Sequence, residues 1–492
     1  YWADLTATDI KKNIMSFYDF HGFDQCYIEY FAATKVLEKN LLKLSKLFNH
    51  AREIGSILKV DDIELDLLEQ RLDQLIEIET YNLENTKLRE LLHQAKLLKQ
   101  KYEIVITNPP FMNKYDKELK LYIQKHYKAY KGDLFSVFIA RNLDLATPDG
   151  YVGFLTPMVW MFIKSYQALR ELIIQNKSIV SLIQFEYSAF EEATVPICSF
   201  ILKNNPTMPV GHYIKLSDYK GGMEVQKEIT EQTIKGSIKE TYYKTHIGNS
   251  ENIPGLPIAF WASNQTIKVF KENDSIDKIL DVRQGLATTD NKKFLRMWWE
   301  VKSDDIFYDA KTLDDFNQAK YKWAPYNKGG DRRNWYGNYD YIVNWSHDGK
   351  EIKENVLNKY SYLKSPDFVV KNTNYYFREA ITWGLITSGG FSARYRKAGS
   401  IHDVAGMSAF SQDQDELLYI LAIVNSKLSD YIFKMLNPTL NLQVGDFKNF
   451  PVVDDARAKE SSLSIVRENI ELAKEDWDSY ETSWDFKRNP LI

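Results

Sequence analysis

The chain has 492 residues, 44% of them hydrophobic and 26% charged, which excludes a disordered segment and is too long for one core, so two or three domains are expected. A formal net charge of -4 excludes a uniformly basic coat for nucleic acid, although one basic face is enough to bind phosphates. The two cysteines, Cys26 and Cys198, cannot build a disulfide framework, and no run of about 20 apolar residues offers a membrane span.

A reducing, cytoplasmic setting without a signal peptide is therefore expected. Because residue 1 is Tyr1 and not Met, the sequence reads as a fragment or a processed form of a longer chain.

From about Gln25 to Gln100 the pattern is helical. Ile28, Phe31, Val36, Leu41, Leu44 and Phe48 recur every three to five residues, and Ile63, Leu67, Leu68, Leu72, Leu75 and Ile76 form a second stripe. At Lys101 the pattern changes. Tyr102–Thr107 is a short apolar strand that runs directly into Asn108-Pro109-Pro110-Phe111.

Asp133 then N-caps a helix reaching about Ala146, and Pro148-Asp-Gly150 is a turn. Tyr151–Thr156 is a second strand, Ser165 to Gln175 a helix, Ile179–Phe185 a third strand and Pro196–Leu202 a fourth. Strands alternating with helices imply a mostly parallel sheet, and the last two strands, with no helix between them, close it as an antiparallel hairpin. That is the Rossmann-like class I methyltransferase architecture. After about Pro206 the rhythm is lost, and a polar helical tail runs from about Ala456 to Tyr480.

Five segments follow from this reading. They are a mainly helical part (1–101), a catalytic α/β core (102–206), a connecting region (207–275), an α+β domain (276–452) and a helical tail (453–492).

The chemistry resides in Asn108-Pro109-Pro110-Phe111. In an open parallel sheet, ligands bind beyond the carboxyl ends of the strands. The exocyclic amine of adenine is a poor nucleophile, because its lone pair is delocalised into the ring. The Asn108 amide oxygen can accept one of its N–H groups and the Pro109 carbonyl the other, which frees the lone pair. The prolines stiffen the loop so that both acceptors are preorganised, and Phe111 offers a face for the base. The competing reading is a Pro-Pro turn that merely closes a strand.

The eight histidines are scattered, and no metal site is expected. Trp298, Trp299, Trp323, Trp335 and Trp345 read as core. The best basic clusters are Lys328-Gly-Gly-Asp-Arg332-Arg333 and Arg394-Tyr-Arg396-Lys397, candidates for phosphate contact or else solvated loops.

From Tyr102 onward the chain resembles the PglX adenine-specific methyltransferases of BREX phage-defence systems. Matching stretches include Asn108-Pro-Pro-Phe-Met112, Asp133-Leu-Phe135, Arg141-Asn-Leu-Asp-Leu145, Gly150-Tyr-Val-Gly-Phe154 and Ala189-Phe-Glu-Glu192. In the second half Gly285-Leu-Ala-Thr-Thr-Asp290, Asn327-Lys-Gly-Gly330, Asn334-Trp-Tyr-Gly-Asn338, Asp403-Val-Ala-Gly406 and Gln443-Val-Gly-Asp446 also match.

The resemblance implies a site-specific DNA adenine-N6 methyltransferase that uses S-adenosylmethionine. Asn108 and Pro109 would hold the target amine, Phe111 would stack on the flipped base, and residues 276–452 would form the target-recognition domain. Its partners would be double-stranded DNA, other defence proteins or a phage DNA-mimic inhibitor.

One departure stands out. The family's glycine-rich Asp-Pro-x-x-Gly-Ser-Gly loop is not found. Gly22-Phe-Asp24 corresponds either to the strand end whose carboxylate binds the cofactor ribose or to a plain turn. Two rival readings stay open: a fused restriction–modification enzyme, and a non-catalytic DNA-binding or scaffold subunit.

Overall fold

A computed structural model of the chain describes residues 20–78, 82–187, 189–190, 195–386, 390–439 and 441–489. The expectations that involve Tyr1, Lys11 to Asp19 and Glu191-Glu192 lie outside the described residues. The chain forms two compact units, Tyr1–Gly248 and Asn249–Ile492.

The first unit opens with four amphipathic helices, α1 (Gln25–Phe31), α2 (Lys35–Phe48), α3 (Leu65–Ile78) and α4 (Leu83–Lys99). Leu37, Leu41, Leu44 and Phe48 on α2 share one face at spacings of four, three and four, and all are buried. They meet Leu68, Leu72 and Leu75 of α3 and Leu88, Leu91 and Leu92 of α4 in one apolar cluster. Thr34 and Asn82 accept from backbone N–H groups of Leu37 and Glu84 and so cap α2 and α4.

The α/β part follows in the order β1 (Tyr102–Thr107), α5 (Lys117–His126), α6 (Leu134–Leu145), β2 (Ala146–Pro157), α7 (Gln167–Asn176), β3 (Ser178–Gln184), β4 (Ile197–Lys203), β5 (Val210–Lys215), α8 (Gly222–Ile234) and β6 (Tyr242–His246). The six strands form one sheet in the order β1-β2-β4-β3-β5-β6. β1 runs parallel to β2 and β3 parallel to β5, while β4 is antiparallel to both of its neighbours, β2 and β3. The antiparallel β3–β4 pair read from the sequence is present, but it does not close a mostly parallel sheet: β4 lies between β2 and β3, β5 and β6 continue beyond, and three of the five strand pairings are antiparallel. Residues 207–246, read there as a connecting region, add β5, α8 and β6 to the same sheet.

The sheet core joins Phe154, Phe200 and Trp160, with Phe200 5.2 Å from Phe154 and 4.9 Å from Trp160. Gly150 is required where β2 passes β1, because a Cβ there would lie 2.9 Å from the Glu103 carbonyl oxygen. Ile104 and Ile106 of β1 are 65% and 67% exposed, unlike strands buried on both faces. Among the described residues β1 is an edge strand.

The second unit holds two four-stranded sheets. Its strands are β7 (Asp281–Arg283), β8 (Leu295–Met297), β9 (Trp323–Asn327), β10 (Tyr341–Asn344), β11 (Ala380–Gly384), β12 (Ala393–Arg396), β13 (Ile401–His402) and β14 (Gly406–Phe410). One sheet has the order β13-β9-β10-β8 and the other β12-β11-β14-β7.

Among its helices are α9 (Gln414–Val424), α10 (Lys427–Leu436) and α11 (Ala456–Asp478). Ile381, Trp383, Met407 and Ala409 share an apolar cluster with Leu417, Leu421, Phe433, Val466, Ile470 and Trp477. The segment read as a polar tail is therefore part of the core, and an Arg467–Asp415 ion pair ties α11 to α9. No helix of the described residues is long and apolar enough to cross a membrane.

Candidate active site

The strand directions place the carboxyl ends of β1, β2, β3 and β5 along one edge of the sheet. Asn108–Phe111 leaves this edge directly after Thr107, which is still paired with Phe154. Asn108 is exposed, Pro109 is buried and Pro110 is exposed, so the loop is rooted through one ring and presents its amide to solvent. Phe111 is 42% exposed. Its ring meets Phe135 edge-on at 6.4 Å, and Phe135 in turn lies 5.3 Å from Tyr166. One side of Phe111 is thus supported by an aromatic chain while much of the ring remains accessible.

Asp133 caps α6 and reaches back to the loop. Its Oδ1 accepts from the N–H of Phe135 at 3.3 Å and from that of Met112 at 2.9 Å. Burial pushes the Asp133 carboxyl up, and these N–H groups pull it back. The Leu134 N–H also donates to the Met112 carbonyl at 2.8 Å. Gly132 just before the cap has no room for a side chain, since a Cβ would sit 2.9 Å from the Tyr166 ring.

Residue Phe190, within the quoted Ala189-Phe-Glu-Glu192 stretch, was given no role from the sequence. It follows β3 at the same sheet edge and meets Phe185 edge-on at 5.5 Å. Its signal was its position between two strands of the predicted hairpin.

The second group of expected site residues divides. Arg332 is exposed. Lys328 is partly buried, with its ammonium 4.7 Å above the Tyr341 ring. Arg333 lies 3.3 Å from Asp476 and packs over Trp477 at 4.9 Å. Lys397 is half-buried, 3.9 Å from Asp485.

Arg394 and Arg396 overturn the expectation of direct phosphate contact. They are 1% and 2% exposed. Arg394 donates to the Gly329 carbonyl at 3.1 Å. Arg396 donates to Ser400 Oγ at 2.9 Å and to the Asn338 carbonyl at 3.2 Å, with its guanidinium 3.9 Å over the Tyr339 ring. Burial pushes the Arg394 guanidinium down to about 10 and lowers that of Arg396. Strand alternation turns both inward, and Arg394 braces the Lys328–Arg333 loop from beneath through Gly329.

Asp24 is exposed at the start of α1, and its Oδ1 accepts from the Tyr27 N–H at 2.7 Å, an N-cap bond.

Residues 26–190, which include this loop, match the family model of the Eco57I restriction-modification methylase. Within the curated relatives, the chain is similar to the adenine-specific methyltransferase PglX of Lacticaseibacillus casei, at 33% identity over 92% of this chain and 38% of that protein. It is likewise similar to the adenine-specific methyltransferase BrxX of Escherichia coli O9:H4, at 31% identity over 92% of this chain and 36% of that protein. The resemblance read from the motifs is thus found along nearly the whole chain, which spans little more than a third of these relatives.

The structure of the Type IIL restriction-modification enzyme MmeI in complex with DNA shares the fold. Its TM-score is 0.52 at 11% identity, covering 96% of this chain and 66% of that one.

Proposed function

We propose that this chain is the adenine-gripping and DNA-reading part of an S-adenosylmethionine-dependent DNA adenine-N6 methyltransferase, acting in host DNA modification and phage defence of the BREX type. The supporting observation is the Asn108–Phe111 loop, with an exposed amide, a buried proline and an accessible ring at the carboxyl end of a parallel strand. The first unit would be a class I methyltransferase domain of Rossmann-like form, and the second unit the target-recognition domain.

The target base lies stacked in its duplex, so it is extruded before it is held. That costs roughly a few kcal/mol, offset by stacking on Phe111 and by edge contacts. Asn108 Oδ1 accepts one N6 hydrogen and the Pro109 carbonyl accepts the other. Two acceptors draw the amine toward tetrahedral geometry and expose its lone pair. S-adenosylmethionine, when bound, supplies the methyl group.

The described residues fit that cofactor only in part. Asp24 offers a carboxylate that already caps a helix, and no Asp-Pro-x-x-Gly-Ser-Gly pattern occurs in the 492 residues. A second reading is a non-catalytic DNA-binding subunit of a defence complex.

Double-stranded DNA is the proposed partner. Lys328 and Arg332 are the candidate phosphate contacts, while Arg333 and Lys397 are already engaged with carboxylates. Sequencing that detects modified bases, applied to the genome of cells expressing the protein, separates the readings. N6-methyladenine at one recurrent site, lost with Asn108→Ala, supports the methyltransferase. Unmodified DNA despite soluble protein and its defence partners supports the subunit.

A further inference from the structure

The Asn108–Phe111 loop is held at both of its ends by one helix. At its far end, Asp133 and Leu134 bind the N–H and the carbonyl of Met112 at 2.9 and 2.8 Å. At its near end, the side-chain amide of Asn142 donates to Thr107 Oγ1 at 2.7 Å. Asp133 and Asn142 stand at the cap and in the third turn of α6.

That helix is itself immobilised. Val137 and Ile139 are fully buried, and the Arg141 guanidinium donates to the carbonyls of Leu98 at 2.7 Å and Ser56 at 3.3 Å. By contrast, the last ladder residue of β1 is Thr107, so the sheet stops restraining the chain where the loop begins.

From this geometry we infer that Asn142 is a positioning residue for methyl transfer, with Thr107 as its point of action and Asp133 as its counterpart across the loop. The inference rests on the function proposed above. The Asn142–Thr107 bond sets the direction in which the chain leaves β1, and so the angle at which the Asn108 amide meets the purine amine. A small rotation there would misalign an acceptor without touching the DNA. Asn142 is 4% exposed and never meets substrate, so its effect passes through the loop.

The test uses the whole chain as Asn142→Ala, Thr107→Val, the double variant and Asn142→Asp, in two arms. The first arm is hydrogen–deuterium exchange of peptides covering 108–112. In Asn142→Ala and Thr107→Val, exchange in this loop should rise by about tenfold, while α6 and β2 stay protected. The second arm is single-turnover transfer of labelled methyl to unmethylated, amplified plasmid DNA. The rate constant should fall by about 10- to 100-fold with the Kd for DNA changed less than about twofold, as expected for misplacement of a reacting group.

The double variant should be no slower than either single one, because both remove the same bond. Asn142→Asp should recover much of the rate, since the Thr107 hydroxyl can donate to a carboxylate instead. A merely structural residue would lower the active fraction and leave the rate constant of the remaining enzyme unchanged.

The inference is overturned by loop exchange that matches the parent, by loosening that spreads through α6, or by additive rate losses. If the parent protein transfers no methyl at all, the proposed function fails. The exchange arm still decides whether Asn142 holds the loop.

Discussion

Arg394 donates to the carbonyl of Gly329 at 3.1 Å from a position almost wholly removed from solvent. Asn338 Nδ2 donates to the same carbonyl at 2.7 Å and to that of Asp331 at 2.9 Å. A loop rich in flexible backbone and positive charge is thereby given one shape, from Lys328 to Arg333.

Arg394 and Arg332 should therefore respond unequally to substitution. Arg394→Met removes the buried hydrogen bond to the Gly329 carbonyl and should cost about 1–3 kcal/mol in urea unfolding. Arg332→Ala, on the surface, should change stability by less than about 0.5 kcal/mol. Equal losses for both would show that the buried guanidinium does not brace the loop.

Salt dependence tests the surface side of the same loop. If Lys328 and Arg332 contact phosphates, replacing either by alanine should weaken binding to any duplex and lower the slope of log affinity against log salt by about 1. An unaltered slope in both variants would remove this loop from the DNA interface.

Asp403 lies beneath the loop, where its backbone N–H donates to the Asn327 carbonyl at 3.0 Å. Burial pushes its carboxyl from 3.8 up to about 6. A carboxyl raised on folding favours the protonated form in the native state. Its contribution is thus complete below its unfolded value and is lost as pH rises through about 6. Asp403→Asn lacks that titration. The stability of the variant relative to the parent should therefore grow by ~2 kcal/mol between pH 4 and pH 7.5, most of it before pH 7. Denaturant midpoints measured across this range would contradict the assignment if the gap stayed flat.

Much of the first unit was legible in the sequence because its signals are local. An apolar run into Asn108-Pro-Pro marks the end of β1, and the Asp133 cap marks the start of α6 to within a residue. The Asn142–Thr107 bond was not legible, since it joins residues 35 apart that meet only once a helix packs on a strand.

Arg394 and Arg396 were misread as surface charge although the signal was available. Residues two apart in a strand share a face, and that face here carries Ala393's neighbours into the core. In α11, Val466, Ile470 and Trp477 recur at intervals of four and seven, an apolar stripe hidden by the charged residues around it. The addition of β5 and β6 to the sheet was concealed by their mixed polarity, which suits strands toward a sheet's edge.

The central claim is that Asn108 and Pro109 form a two-acceptor grip for the amino group of adenine. The most direct measurement is nucleoside analysis of DNA incubated with the protein and methyl-labelled S-adenosylmethionine, beside the Asn108→Ala variant. The account predicts label only in N6-methyldeoxyadenosine, reduced at least about 100-fold by the substitution. Label in a cytosine product, or transfer undiminished in Asn108→Ala, would contradict it.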